Sequence, residues 1–406
     1  MRNLTARVFK SLKTPLVLFL VVMTPVIINA HYREIQEQIH KGISELYETN
    51  ESLADWVYEA NDFVFNGKSF DLERKQKNAI YQSFESVTMV SVKPGESTPG
   101  GIGTGWFARV DETHGWIITN YHVINTAKDR PDLISVTTAL DMWEYDAEII
   151  GYDEIADIAV LKIAKKDDEK WQALEIEDAS EIAMGDPIVV MGHGMSLPYT
   201  ASQGVVSYAN RYGTRPYSLM LQVDAVINQG NSGGPVIGMN GKVFGVAQSI
   251  LSPSRAIPGW DGIGLAVGAK QVKRSFDFII SPNYISKGYV PYVEFPFNLS
   301  VKKLEEVYEV SKDDRHYAYI DYSNLPEGST TTVGQDSGLL QGDVLWEIDG
   351  ENISSSFGVL KKTIYAMPGD VWKIKVKRGE EFVELNIAMR EMNRNKLLGA
   401  VNRGGR

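Results

Sequence analysis

The chain is 406 residues long, more than one ordinary domain, so two domains with extra segments are expected. Its net charge of −11 argues against nucleic-acid binding, because neutralising phosphates needs a basic face. The absence of cysteine excludes disulfide staples, thiolate metal sites and a cysteine nucleophile together, and no cofactor is called for.

Residues 1–30 open with Arg2, Arg7, Lys10 and Lys13 and continue as an apolar run over residues 15–30. A basic leader before an apolar stretch is the layout of an export signal. It is either cleaved after Ala30 or kept as a membrane anchor, with the rest of the chain on the periplasmic side. Over residues 31–65, Ile35, Ile39, Ile43, Leu46, Leu53 and Val57 recur at helical spacing among polar residues. That pattern predicts a helical stalk. Asn66-Gly67-Lys68 breaks it, and the charged stretch through Lys77 reads as a linker, giving a segment 31–77.

From about residue 86 to 267 the period changes to that of strands. β-Branched, alternating runs occupy residues 87–92, 105–110, 116–119, 158–163, 187–191 and 242–246, with Gly, Pro, Asp and Asn between them. The domain over residues 78–280 is therefore expected to be mostly β, a barrel or sandwich.

Within it, Gly230-Asn231-Ser232-Gly233-Gly234-Pro235 is a glycine-rich turn with one hydroxyl at its centre. Such a turn can converge backbone N–H groups on one anion beside a nucleophile, which is what acyl transfer requires. A base should be a histidine at the end of a strand. Of the six histidines, His122 follows an apolar strand and is flanked by apolar residues, whereas His114 lies in a polar turn and His193 in a loop between glycines. Asp157 opens a buried run and needs a partner there. Asp153 and Glu154 lie in a more polar turn, and Asp224 is expected to brace the nucleophile loop.

Thr119-Asn120-Tyr121-His122-Val123-Ile124, Asp157-Ile158-Ala159-Val160-Leu161 and Gly230-Asn231-Ser232-Gly233-Gly234-Pro235 together resemble the three catalytic blocks of the HtrA (Deg) family of trypsin-like serine proteases. The resemblance covers about residues 80–275. It implies a chymotrypsin-like double β-barrel with Ser232 as nucleophile, His122 as base and Asp157 as its orienter. The N–H groups of Gly230 and Ser232 would form the oxyanion hole. Six residues before the nucleophile, Val226 would floor the substrate pocket, with Ile227, Val246 and Ala247 as apolar wall. Cleavage after small or aliphatic residues is then expected, since Val226 cannot neutralise a buried cation. The resemblance also implies that residues 248–261 form a regulatory loop and that the chain assembles as a homo-oligomer, a trimer.

Residues 287–390 form a second unit. Ser337-Gly338-Leu339-Leu340-Gln341-Gly342-Asp343-Val344-Leu345-Trp346-Glu347-Ile348-Asp349-Gly350 resembles the helix-to-strand signature of PDZ domains, implying a PDZ-like α+β domain and a peptide ligand. Pro291 stands near the glycine expected in the carboxylate-binding loop, and proline removes a donor. Residues 391–406 are a basic tail. Two functions fit: an envelope endopeptidase acting on unfolded, damaged or regulatory proteins, or a chaperone-like, catalytically weak peptide-binding protein on the same fold.

Overall fold

A computed structural model describes residues 69–95, 98–139, 143–166, 169–194, 199–212, 218–250, 263–282, 290–294, 299–300, 319–320, 332–353 and 356–393. The apolar segment 15–30, the helix expected over 31–65 and most of the basic tail lie outside them. The chain divides into two units, Met1–Lys77 and Asn78–Arg406. The charged stretch expected as a linker is helical. Helix α1 runs Ser69–Phe84, because Glu73, Arg74, Lys75, Gln76 and Lys77 are good helix formers uninterrupted by Gly or Pro. Ala79, Ile80 and Phe84 turn one face of its last turns into a hydrophobic core.

The strands of the first half are β1 (Val87–Val92), β2 (Gly101–Val110), β3 (His114–Thr119), β4 (Ile134–Thr138), β5 (Glu144–Asp146), β6 (Glu148–Asp153) and β7 (Ile158–Ala164). They form one antiparallel sheet in the order β5-β4-β1-β2-β3-β7-β6. Tyr145 of β5 and Ile149 of β6, at opposite edges, share one core with Phe107, Ile117 and Leu161. The sheet therefore curls around that core without its edges pairing among the described residues. The second half closes fully. Strands β8 (Pro187–Gly192), β9 (Thr200–Tyr212), β10 (Leu219–Val223), β11 (Pro235–Gly238), β12 (Val243–Ile250) and β13 (Gly264–Gly268) make a barrel in the order β10-β13-β12-β11-β8-β9.

The run Ile158-Ala159-Val160-Leu161 is apolar without interruption because both faces of β7 are covered. Ile158 and Val160 point into a core shared with Trp106, Ile118, Val189, Ile237 and Val246, while Ala159 and Leu161 point into the first sheet's own core. The shared core is the seam between the halves. Each fully buried aliphatic chain there contributes roughly 1.5–3 kcal/mol.

Helix α3 (Ala269–Ile279) follows β13 and buries Val272, Phe276 and Ile279 on the same core. A further sheet then forms from β14 (Leu299–Ser300), β15 (Tyr319–Ile320), β16 (Val344–Ile348), β18 (Val371–Arg378) and β19 (Glu381–Ala388), with β17 (Glu351–Asn352) paired to β16. Helices α4 (Val333–Asp336) and α5 (Ser356–Tyr365) belong to this part. Its core includes Ile320, Leu345, Ile348, Val359, Ile374 and Val376. The stretch resembling a helix-to-strand signature follows α4 and contains β16.

Candidate active site

The seam between the halves gathers the residues singled out from the sequence. After β3 the chain turns into a one-turn helix, α2 (Tyr121–Ile124), so His122 lies on a helical turn rather than at a bare strand end. Asp157 immediately precedes β7 with φ of 60°, a left-handed conformation that costs a non-glycine residue of order 1 kcal/mol. Local bonds hold it there. Asn120 Nδ2 and Tyr121 N–H both donate to Asp157 O, at 2.8 and 3.2 Å.

The Asp157 carboxylate is fully buried and accepts hydrogen bonds from His122 and Gln248. His122 N–H reaches Oδ1 at 2.9 Å, while His122 Nδ1 and Gln248 Nε2 reach Oδ2 at 2.7 and 2.9 Å. A carboxylate facing Nδ1 fixes that nitrogen as the donor and leaves Nε2 free to take a proton. The imidazole is 38 % exposed, so it can meet a substrate.

Ser232 sits in the loop between β10 and β11, where its glycines are required. Gly233 has φ of 88°, and a Cβ there would lie 2.0 Å from Thr104 O. Ser232 Oγ donates to Gln248 O at 3.1 Å, and among the described residues no hydrogen bond joins it to His122. Gln248 therefore contacts Asp157 through its side chain and Ser232 through its carbonyl. Gly230 and Ser232 N–H have no acceptor among the described residues, leaving both available to a developing oxyanion.

Other expectations are modified. Val226 is 55 % exposed, an open position rather than a buried floor, while Ile227, Val246 and Ala247 are buried. Asp224 does not brace the nucleophile loop. It is exposed, and its Oδ1 accepts Val205 N–H at 2.6 Å, beside a register shift between β9 and β10 that leaves this N–H to be satisfied. Residues 248–250 of the expected regulatory loop continue β12, and residues 251–262 lie outside the described residues. His114 starts β3, its Nδ1 2.8 Å from Thr113 Oγ1.

Sequence reasoning passed over three residues. Gln248 stands on β12 with nothing in its neighbours to mark it. Asp153 was set aside as lying in a polar turn, yet it is fully buried. Its Oδ1 accepts Ile155 and Ala156 N–H, shaping the turn before Asp157, and its Oδ2 accepts Ser275 Oγ at 2.7 Å and Tyr292 OH at 2.9 Å. Burial pushes the Asp153 carboxyl up, and the positive charge of Arg274 opposes that rise. His193 is fully buried behind the nucleophile loop, where burial alone lowers its pKa to about 4.

A curled antiparallel sheet, a closed barrel, and a His–Asp pair with a glycine-bound serine at their seam define a trypsin-like peptidase fold. Residues 103–246 match the family model for the trypsin-like peptidase domain. Among curated relatives, a probable periplasmic serine endoprotease DegP-like of Chlamydia muridarum is 30% identical over 308 residues, 75% of this chain and 56% of that protein. One of the same description from Rhizobium meliloti is 28% identical over 297 residues, 72% of this chain and 54% of that protein. The chain thus spans about half the length of these relatives. The solved structure of the HtrA-type protease AlgW with tripeptide superposes with a TM-score of 0.63 at 25% identity, covering 78% of this chain and 97% of that one. Residues 103–246 thus carry a trypsin-like peptidase domain, and the chain as a whole is similar to DegP-like serine endoproteases and HtrA-type proteases.

Proposed function

We propose that this protein is a serine endopeptidase of the cell envelope that cleaves unfolded, damaged or regulatory proteins. The observation that carries this is the His122–Asp157 hydrogen bond of 2.7 Å beside a serine loop with two unoccupied N–H groups. Ser232 Oγ would leave Gln248 O, give its proton to His122 Nε2 and bond to the scissile carbonyl carbon. The carbonyl oxygen, now negative, would rest on Gly230 and Ser232 N–H. His122 would then protonate the leaving amine, and water would release the acyl group by the same route.

Its relatives' names support a periplasmic site of action, and residues 15–30 would either be removed or anchor the chain. Among the described residues no helix is long and apolar enough to cross a membrane. Apolar Ile227, Val246 and Ala247 support cleavage after small or aliphatic residues. Equal cleavage after Arg or Lys in a peptide library would overturn that preference.

The unit over residues 287–390 is assigned as PDZ-like, with a segment of another protein as its ligand. Val290, Tyr292 and Val293 are buried, and Pro291 O accepts Arg274 Nη2 at 2.8 Å, so this segment serves the junction with α3. That favours docking or internal segments over capture of a free C-terminal carboxylate. Assembly as a homotrimer belongs to the same reading and is tested by light scattering.

The deciding experiment is labelling with a serine-directed fluorophosphonate. Wild type should be labelled and Ser232→Ala should not. Because Ser232 Oγ rests on Gln248 O and not on His122, a chaperone-like binder with weak catalysis is the second reading. Absence of label in wild type, with or without substrate peptides, would favour it.

A further inference from the structure

Thr104 lies within β2, fully buried, and all of its polar atoms are engaged at the nucleophile loop or beside it. Its N–H donates to Ser232 O at 2.8 Å. Its hydroxyl donates to Gly230 O at 2.7 Å. Its carbonyl accepts Thr119 Oγ1 at 2.7 Å and lies against Gly233. One residue of the first half thus holds the loop of the second half on both sides of Asn231.

The same hydroxyl faces His193. His193 N–H donates to Thr104 Oγ1 at 3.0 Å, and His193 Nδ1 lies 3.1 Å from it. A hydroxyl has a single proton, and a carbonyl oxygen can only accept. The proton of Thr104 is therefore committed to Gly230 O, and His193 Nδ1 must be the donor. This leaves Nε2 as the bare nitrogen, buried without a partner among the described residues and beside the edge-packed ring of Tyr199. The low pKa of His193, about 4, agrees with an imidazole that stays neutral there. His193 also presses directly on the loop, since a Cβ on Gly230 would come within 2.2 Å of His193 O.

We propose that Thr104 and His193 form a neutral clamp that holds the Gly230–Ser232 segment in the shape that aims its two N–H groups at the oxyanion. This rests on the serine-peptidase reading for its consequence but not for its geometry. Neither residue touches substrate, so both are positioning residues. Fixing Gly230 O fixes ψ of a glycine whose φ is already an unusual 100°, and a glycine has no side chain to restrict that rotation itself. Oxyanion donors accelerate acyl transfer by roughly 10²–10³ each only while they point at the developing charge.

Thr104→Val keeps the shape and removes the hydroxyl. It should lower kcat at least about tenfold with KM changed less than about threefold, and weaken a peptide boronate by the same factor as kcat. Thr104→Ser should restore both, and His193→Asn, whose amide can replace the Nδ1 donor, should retain most activity. Two readouts are independent of catalysis. Amide exchange of residues 228–234 should accelerate at least about tenfold in Thr104→Val and not in Thr104→Ser. Nitrogen-15 spectra of wild type at neutral pH should show His193 protonated on Nδ1. Unchanged loop exchange in Thr104→Val, or a His193 protonated on Nε2, overturns the clamp whatever the activity. Should Thr104→Val fail to fold, the tautomer decides alone. Faster exchange in a protein that no fluorophosphonate labels would keep the clamp and sink the peptidase reading.

Discussion

The buried neutral state of His193 should be visible as pH-dependent stability. In the folded chain its pKa is lowered to about 4, against 6.5 when solvated, and the cause is burial alone. Above pH 6.5 the residue is neutral in both states and contributes no slope. Below it the unfolded chain binds a proton that the folded chain refuses, so stability falls as pH falls, until the folded form also protonates near pH 4. Each unit of difference is about 1.4 kcal/mol, so acidification across this window removes about 3 kcal/mol. Against the roughly 5–15 kcal/mol of a typical domain, that is a large share. The assay is urea denaturation at several pH values for wild type and His193→Asn. Groups elsewhere cancel in the difference, Asp153 included, because the shift of His193 comes from burial alone and no charged group contributes to it. Wild type should lose roughly 2 kcal/mol relative to the variant between pH 6 and 4. Parallel curves over that range would show that His193 is not held neutral, and the reasoning from burial would fail.

Asp157→Asn should preserve folding and lower turnover by about 10⁴, since the amide no longer enforces the His122 tautomer; a loss under tenfold in steady-state peptide cleavage would dismiss Asp157 as orienter. Gly233→Ala forces a side chain into left-handed backbone at φ 88° and within 2.0 Å of Thr104 O. It should cost at least about 2 kcal/mol by urea denaturation, and a change below 0.5 kcal/mol would contradict that loop conformation. Tyr292→Phe removes one of four donors to the buried Asp153 carboxylate, and should cost about 1–3 kcal/mol. A neutral outcome would place the hydroxyl in water.

The three blocks around His122, Asp157 and Ser232 are legible because each carries a chemical requirement in contiguous residues. Glycines around Ser232 announce a special backbone, and an aspartate before Ile158-Ala159-Val160-Leu161 announces a buried charge in need of a donor. The burial of Asp153 and His193 is not legible for the opposite reason. Their surroundings in sequence are polar or glycine-rich, and their burial is supplied by residues far away, Ser275 and Tyr292 for the first and Thr104 and Tyr199 for the second. Local pattern reports local environment only. The charged stretch before residue 78 is helical because Glu73-Arg74-Lys75-Gln76-Lys77 is good helix sequence, which a count of charges alone does not reveal. Val226 was placed by position relative to Ser232, which fixes the loop but not how far its side chain is covered.

The groups that would carry the chemistry come from both halves. His122, Asp157 and Thr104 come from the half built on the first sheet, and Ser232, His193 and Gln248 from the half built on the barrel. No local turn sets the distance between them. It is set by the seam, where Trp106, Ile118 and Val160 pack on Val189, Ile237 and Val246. Gln248 and Thr104 are the polar ties across that seam, one joining Asp157 to the barrel and the other joining the serine loop to β2. The Asp153 cluster extends the chain of contact further. Tyr292, from the segment after α3, and Ser275 of α3 hold the carboxylate whose other oxygen shapes the turn carrying Asp157. A shift of the Tyr292 segment against α3 would therefore be felt first at a buried charge, which tolerates loss of donors poorly, and only four residues from the candidate orienter. The geometry of the site is thus a property of how three packed parts are docked.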